Sequence, residues 1–176
     1  LGGIKMNITF GGNKVNLAGK EIKVGDVAPE FKAVNKDLSD FNSADLKGKI
    51  VVYSVAPSID TPVCAIQATT FNEEATKLSD DIKIVTVTVD LPFAQERFCS
   101  VKGIDNADII SDYRYKEFGK KYGFLIDELQ LLARGVVIVD REGKVQYVEY
   151  VPEVTDEVNF DKALEEVKKL KWLMSI

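Results

Sequence analysis

Two cysteines and no histidine make up the reactive sulfur and imidazole inventory of this chain, and the setting of the first cysteine is the more informative. Cys64 closes the segment Pro57-Ser58-Ile59-Asp60-Thr61-Pro62-Val63-Cys64. Thr61 is a good N-cap and Pro62 stands at the favoured first helical position, which makes Cys64 the third residue of a helix. Unpaired backbone N–H groups and the positive end of the helix dipole then surround its sulfur. A thiol that ordinarily titrates near pH 8.5 can do so at roughly 3.5 to 7.5 in such places, and the thiolate is the nucleophile. The plainer reading is that Cys64 only starts the apolar stripe of a core helix, because Cys64, Ala68, Phe71, Ala75 and Leu78 share one helical face. Spacing leaves both open.

The missing histidine excludes cysteine–histidine and serine–histidine nucleophile pairs and every histidine-bound metal. Two cysteines cannot complete a structural zinc site, and no C-x-x-C redox dithiol is present. Neither G-x-x-x-x-G-K-[ST] nor G-x-G-x-x-G occurs, so nucleotide binding has no motif behind it. What remains is cysteine chemistry in which the surroundings, not a base, ionise the thiol. Arg134, in Leu131-Leu132-Ala133-Arg134-Gly135-Val136-Val137, opens a buried strand beside a glycine that permits close approach. An arginine there usually marks a solvated strand end. An ionised sulfur without a histidine, however, calls for a fixed cation with planar donors. Cys99, in the helix that follows Pro92 and roughly two turns in, reads on its own as a buried core cysteine beside Phe93 and Phe98.

Positioning these residues requires a strand ahead of Cys64, and Ile50 to Val55 is a continuous apolar, β-branched run of that kind. Strand 50–55, helix 61–79, strand 82–89, helix 92–102, strand 107–111 and a helix near 114–122 alternate along the chain. The first crossover makes part of the sheet parallel. Gly135 to Asp140, a turn at Arg141-Glu142-Gly143-Lys144 and Val145 to Val151 then read as an antiparallel hairpin. Asp156 to Trp172 closes the chain as an amphipathic helix. At the other end, Met6 to Phe10, Gly11-Gly12-Asn13 and Lys14 to Leu17 form an N-terminal β-hairpin, and a short strand lies near Phe31 to Val34. The expected class is α/β, a mixed central sheet flanked by helices.

At 176 residues and 45% hydrophobic content, a single domain over 6–176 is expected, with Leu1 to Lys5 ahead of Met6 a remnant or a disordered N-terminus. A net charge of -5 without a basic stripe argues against nucleic acid. No apolar run approaches a membrane span and no signal segment is evident. The chain reads as soluble and cytoplasmic, where a cysteine pair is catalytic and transient rather than structural.

Pro-x-x-x-Thr-x-x-Cys, as Pro57, Thr61 and Cys64, resembles the active-site pattern of the peroxiredoxins. Asp90-Leu91-Pro92-Phe93-Ala94-Gln95-Glu96-Arg97-Phe98-Cys99 is similar to the second-cysteine segment of the bacterial thiol peroxidases, and Ser58-Ile59-Asp60-Thr61 matches their wording of the first motif. The resemblance runs from about Met6 to the last helix; Ala56 departs from it, standing where the family carries a bulkier residue. It implies a thioredoxin-like fold and an atypical two-cysteine peroxidase acting on hydrogen peroxide and organic hydroperoxides without metal, heme or flavin. By the same resemblance Cys64 is the peroxidatic residue, Cys99 the resolving one, and the two form an intramolecular disulfide. Thr61 bonds the thiolate or the peroxide, Pro57 shields the sulfur from water, and Arg134 is the family's strand-borne arginine. A thioredoxin-like dithiol is the implied reductant and a homodimer the implied assembly. A one-cysteine peroxiredoxin with Cys99 as core packing, and a peroxide-sensing switch that does not turn over, are the alternatives.

Overall fold

The computed structural model describes residues 6–75, 77, 80–104 and 108–173. The N-terminal part holds β1 (Ile8–Phe10), β2 (Asn13–Val15), β3 (Leu17–Ala18), β4 (Lys32–Asn35), β5 (Asp40–Asn42) and a 3-10 turn (Ser43–Leu46). Then come β6 (Ile50–Val55), α1 (Pro62–Ala75), β7 (Ile82–Thr88), α2 (Pro92–Lys102), β8 (Asp108–Ser111) and α3 (Glu117–Lys121). The chain ends with β9 (Leu125–Ile126), β10 (Gly135–Val139), β11 (Val145–Tyr150) and α4 (Phe160–Leu173).

Seven strands make one sheet in the order β11-β10-β6-β7-β8-β4-β5. Two helical crossovers make β6, β7 and β8 mutually parallel, while β10 returns antiparallel beside β6. All six residues of β6 are buried, and its alternation assigns them to two cores. Val51, Tyr53 and Val55 join Val85, Val87 and Val137 against Phe31, Phe118, Tyr122 and the N-terminal hairpin. Ile50 and Val52 face the other way, with Ile84, Val136 and Ile138, under Phe71 of α1 and Ala163 and Val167 of α4. Each such side chain contributes about 1.5–3 kcal/mol of burial, so a strand buried on both faces is a rigid place from which to launch a reactive loop. This mixed sheet with helices on both faces is the thioredoxin-like arrangement expected.

The N-terminal hairpin forms as expected, with Ile8 opposite Val15 and Gly11 and Gly12 at φ 59° and 84° in the turn, where a side chain is strained. Strand 50–55 and helix 92–102 match their expected limits. Two helices begin later than expected. The left-handed φ of Lys116, 53°, prevents α3 from starting near 114; the Asp112 carboxylate instead accepts the Phe118 and Gly119 N–H groups at 3.1 and 2.8 Å. For α4 the cap is Asn159, whose Oδ1 accepts the Lys162 N–H at 3.0 Å, and not Asp156. The strands β3, β5 and β9 were not expected; at two or three residues each they are too short to show a period. Leu1 to Lys5, Leu78 and the expected end of the first helix, and the start of the expected strand at Ala107 lie outside the described residues.

Candidate active site

At the C-terminal end of β6 the chain leaves the sheet through Ala56 and Pro57, both buried, and turns into α1. Thr61 caps the helix: its Oγ1 accepts the Cys64 N–H at 3.2 Å, and its carbonyl accepts the Ala65 N–H at 2.9 Å. The Thr61 hydroxyl donates to the Ser58 carbonyl at 3.3 Å. Cys64 is therefore the third residue of α1, 1% exposed, with the helix N-terminus around its sulfur. Both parts of the local expectation hold: Thr61 is a cap, and Cys64 begins the buried face that continues to Ala68 and Phe71.

Arg134 arrives from the neighbouring strand. Because β10 lies beside β6 and its even-numbered residues Val136 and Ile138 face α1 and α4, Arg134 two residues earlier falls on that same face. Gly135 lets the start of β10 sit close to its neighbours, since a Cβ there would lie 2.0 Å from the Glu149 carbonyl oxygen and 2.6 Å from Phe124. The side chain is not a solvated strand end; Arg134 is 2% exposed. Its Nη2 donates to Cys64 Sγ at 3.0 Å, Nη1 to Gln67 Oε1 at 2.8 Å and Nε to the Val154 carbonyl at 2.6 Å. Gln67 is itself fixed, donating through Nε2 to Ser54 Oγ at 2.8 Å and to the Val55 carbonyl at 3.1 Å.

The electrostatic consequence is specific. Among the described residues no carboxylate forms an ion pair with Arg134. A buried charge without a counter-charge costs several kcal/mol. Of the three groups that Arg134 touches, two are amide carbonyls and the third, the Cys64 sulfur, can take a full negative charge.

Cys99 lies in the last turn of α2 and, seven residues past Pro92, is about two turns in, as expected. The Ile104 N–H bonds the Cys99 carbonyl at 2.9 Å and the Gly103 N–H bonds that of Ser100 at 3.4 Å, with Gly103 at φ 66°, a glycine-terminated helix end. Cys99 is 3% exposed and packs with Phe98, Ile104, Ile109 and, from the Cys64 side, Ile59 and Ala68. Phe98 faces inward, whereas Phe93 is 68% exposed. Neither cysteine forms a disulfide in this structure. The two segments are packing neighbours, and the sulfurs belong to opposite ends of their helices: the positive end for Cys64, the negative end for Cys99.

Gln67 and Ser54, which aim Arg134, were not expected from sequence. A readable signal existed for Gln67, a polar residue one turn after Cys64 on an otherwise apolar face. Among the described residues no cluster of histidine, cysteine and carboxylates suited to a metal is found. A cavity of about 530 Å³ opens at the other end of the sheet, lined by Val51, Tyr53, Tyr122 and Val139, and includes none of the site residues.

The redoxin family model matches residues 23–164. The thiol peroxidase of Bacillus subtilis is 49% identical over 163 residues, 93% of this chain and 97% of that protein. That of Oceanobacillus iheyensis is 48% identical over 163 residues, 93% of this chain and 99% of the relative. Among solved structures, a peroxiredoxin-like protein from Aquifex aeolicus superposes with a TM-score of 0.88 at 42% identity, covering 96% of this chain and 99% of the other. With a capped thiol facing a buried arginine on this sheet, and with relatives of this identity along nearly its whole length, the chain belongs to the redoxin family, among the thiol peroxidases.

Proposed function

We propose that this thiol-dependent peroxidase runs a two-cysteine cycle on hydrogen peroxide and organic hydroperoxides. The Cys64 thiolate attacks one peroxide oxygen, the O–O bond breaks, and the leaving oxygen takes a proton to depart as water or an alcohol, leaving a sulfenic acid. The Cys99 thiol then attacks the sulfenic sulfur; the S–S bond forms, the S–O bond breaks, and hydroxide leaves with the Cys99 proton as water. A thioredoxin-like dithiol supplies two electrons and two protons to reopen the bridge. The observation that carries this reading is the buried Arg134 guanidinium, 3.0 Å from Cys64 Sγ and without a carboxylate partner among the described residues.

Arg134 has the electrostatic role. Three of its N–H groups are used by Cys64, Gln67 and Val154, and those that remain on its Nη atoms are donors for charge passing to the distal oxygen. Thr61, which caps the helix through its lone pair, can turn its hydroxyl proton from the Ser58 carbonyl to the peroxide. Pro57, buried where the chain leaves β6, keeps water from the sulfur. The cycle uses the protein's own thiols, without metal, heme or flavin, and suits a cytoplasmic setting in which disulfides are transient. A homodimer is the assembly its family membership supports. Exposed Leu91 and Phe93 at the start of α2 offer apolar surface for a docking partner.

Thiol counting tests the cycle. After one equivalent of peroxide, two thiols are lost with no adduct mass and a Cys64–Cys99 bridge is mapped. Cys64→Ser consumes no peroxide, and Cys99→Ser consumes about one equivalent and retains a sulfenic acid. Loss of a single thiol in the native chain, with turnover sustained by an outside thiol, would instead establish the one-cysteine cycle that the packed position of Cys99 also suits. Oxidation that stops after one event in the presence of a reductase system would make the chain a sensor.

A further inference from the structure

We infer that Asp90 is a positioning residue that holds the two cysteine segments together, favouring the attack on peroxide and opposing closure of the disulfide. The inference rests on the two-cysteine reading above. Asp90 lies between β7 and α2, on the segment that leads to Cys99. Its Oδ1 accepts the Ser58 hydroxyl at 2.7 Å, and its Oδ2 accepts the Ile59 N–H at 2.8 Å and the Thr88 hydroxyl at 2.7 Å. Its own N–H donates to Thr88 Oγ1 at 3.1 Å, and its carbonyl accepts the Ser111 hydroxyl. One carboxylate thereby joins the loop ahead of α1 to the strand ends beneath α2.

The loop bonds reach the sulfur in two steps. Ser58, held by Asp90, offers its carbonyl to the Thr61 hydroxyl at 3.3 Å, and Thr61 Oγ1 in turn caps the Cys64 N–H at 3.2 Å. Asp90 thus sets the direction of the Thr61 hydroxyl and the start of α1, which is the geometry in which Cys64 faces Arg134. Beside the apolar packing of Ile59 and Ala68 with Cys99, the Asp60–Arg97 pair between these segments is 3.9 Å long with side chains 64% and 73% exposed, and a surface pair of that kind contributes little. Charge-assisted bonds to a carboxylate are the stronger type.

Opposite demands fall on this latch. Peroxide attack needs the loop fixed. Disulfide closure needs the two sulfurs to face each other with Cα atoms roughly 4.4–6.8 Å apart, whereas Cys64 Sγ is bonded to Arg134 and Cys99 is buried among Phe98, Ile104 and Ile109, so the Cys64 turn must release Arg134 for the bond to form. The bonds from Ser58 and Ile59 to Asp90 resist that release. Weakening them should slow the first step and speed the second.

The test resolves the two steps by rapid mixing with hydrogen peroxide, acid quench and mass analysis of thiol, sulfenic acid and disulfide. Asp90→Asn, which leaves a single acceptor oxygen for three donors, is expected to slow sulfenic acid formation about tenfold, equivalent to about 1.4 kcal/mol. Disulfide formation from the sulfenic acid is expected to accelerate several-fold in the same protein. Ser58→Ala removes only one of the bonds and should show smaller changes of the same two signs, with the double variant no worse than Asp90→Asn because the sites share one network. A merely structural role would slow both steps together, and that result, or unchanged closure in both variants, overturns the inference. Should Asp90→Asn not fold, the signs in Ser58→Ala decide. Failure of the native chain to form the Cys64–Cys99 bridge would overturn the two-cysteine reading instead, and is seen in the same assay before any variant is made.

Discussion

Replacing Arg134 by lysine keeps the charge and removes the fork. The structure gives the size of the effect. The guanidinium makes three hydrogen bonds in three directions, to Cys64 Sγ, Gln67 Oε1 and the Val154 carbonyl; one ammonium on a flexible stem cannot hold all three. Removal of one preorganised donor at a developing charge typically costs about 10²–10³ in rate, or roughly 2.7–4 kcal/mol. Because lysine retains the attraction, Arg134→Lys should slow the second-order reaction of Cys64 with hydrogen peroxide by about 10- to 100-fold, and Arg134→Met by about 10³-fold. Stability should not follow the rate. Methionine leaves Gln67 Oε1 and the Val154 carbonyl without their donor, at about 1–3 kcal/mol each, but also removes a buried cation whose burial costs several kcal/mol. These oppose each other, so thermal midpoints within a few degrees of the native chain are expected. Stopped-flow oxidation under pseudo-first-order conditions, with calorimetry on the same samples, reads both quantities. Native oxidation rates in Arg134→Lys, or a rate loss matched by a loss of fold, would refute the assignment of Arg134 to the charge on sulfur.

Two further outcomes are expected. Glu153 is held down to about 2 by the Thr155 and Gly12 N–H groups, the Thr155 hydroxyl and the Gly11 N–H. A carboxyl lowered by folding contributes stability above its ordinary 4.5 that is lost as pH falls toward about 2. Glu153→Gln should therefore be less stable at neutral pH and show a shallower decline between those values in acid titrations followed by circular dichroism; parallel curves would contradict the role of this clamp. In hydrogen exchange, disulfide formation should lower amide protection around Cys64 and from Phe93 to Val101 while the buried strand β10 stays unchanged, and identical protection in a mass-confirmed disulfide form would rule out local unwinding.

The parts of this protein set by short stretches of chain were legible without the fold. Ile50 to Val55 is apolar but for Ser54, whose hydroxyl is bonded by Gln67, because a strand buried on both faces has no solvated side for polar residues. Thr61 and Pro62 start α1 through bonds that span three or four residues, and Gly103 ends α2 in the same local way; the third-residue position of Cys64 follows from those alone. Family motifs singled out Arg134, but nothing local states what it touches. That contact joins residues 70 positions apart, and it exists because β10 inserts beside β6 and its period of two aims Arg134 toward α1. Gln67, Ser54 and the Val154 carbonyl complete the site for the same reason, as does Asp90, whose partners Ser58 and Ile59 lie on another loop. The limit of α3 also depended on a side chain binding backbone groups at a distance that a repeating apolar pattern does not encode, Asp112 reaching Phe118 and Gly119, whereas Asn159 starts α4 by a local cap. Composition and local pattern determined which thiol stands at a helix N-terminus; strand order, a property of the whole sheet, decided which cation faces it and which carboxylate bonds the loop ahead of it.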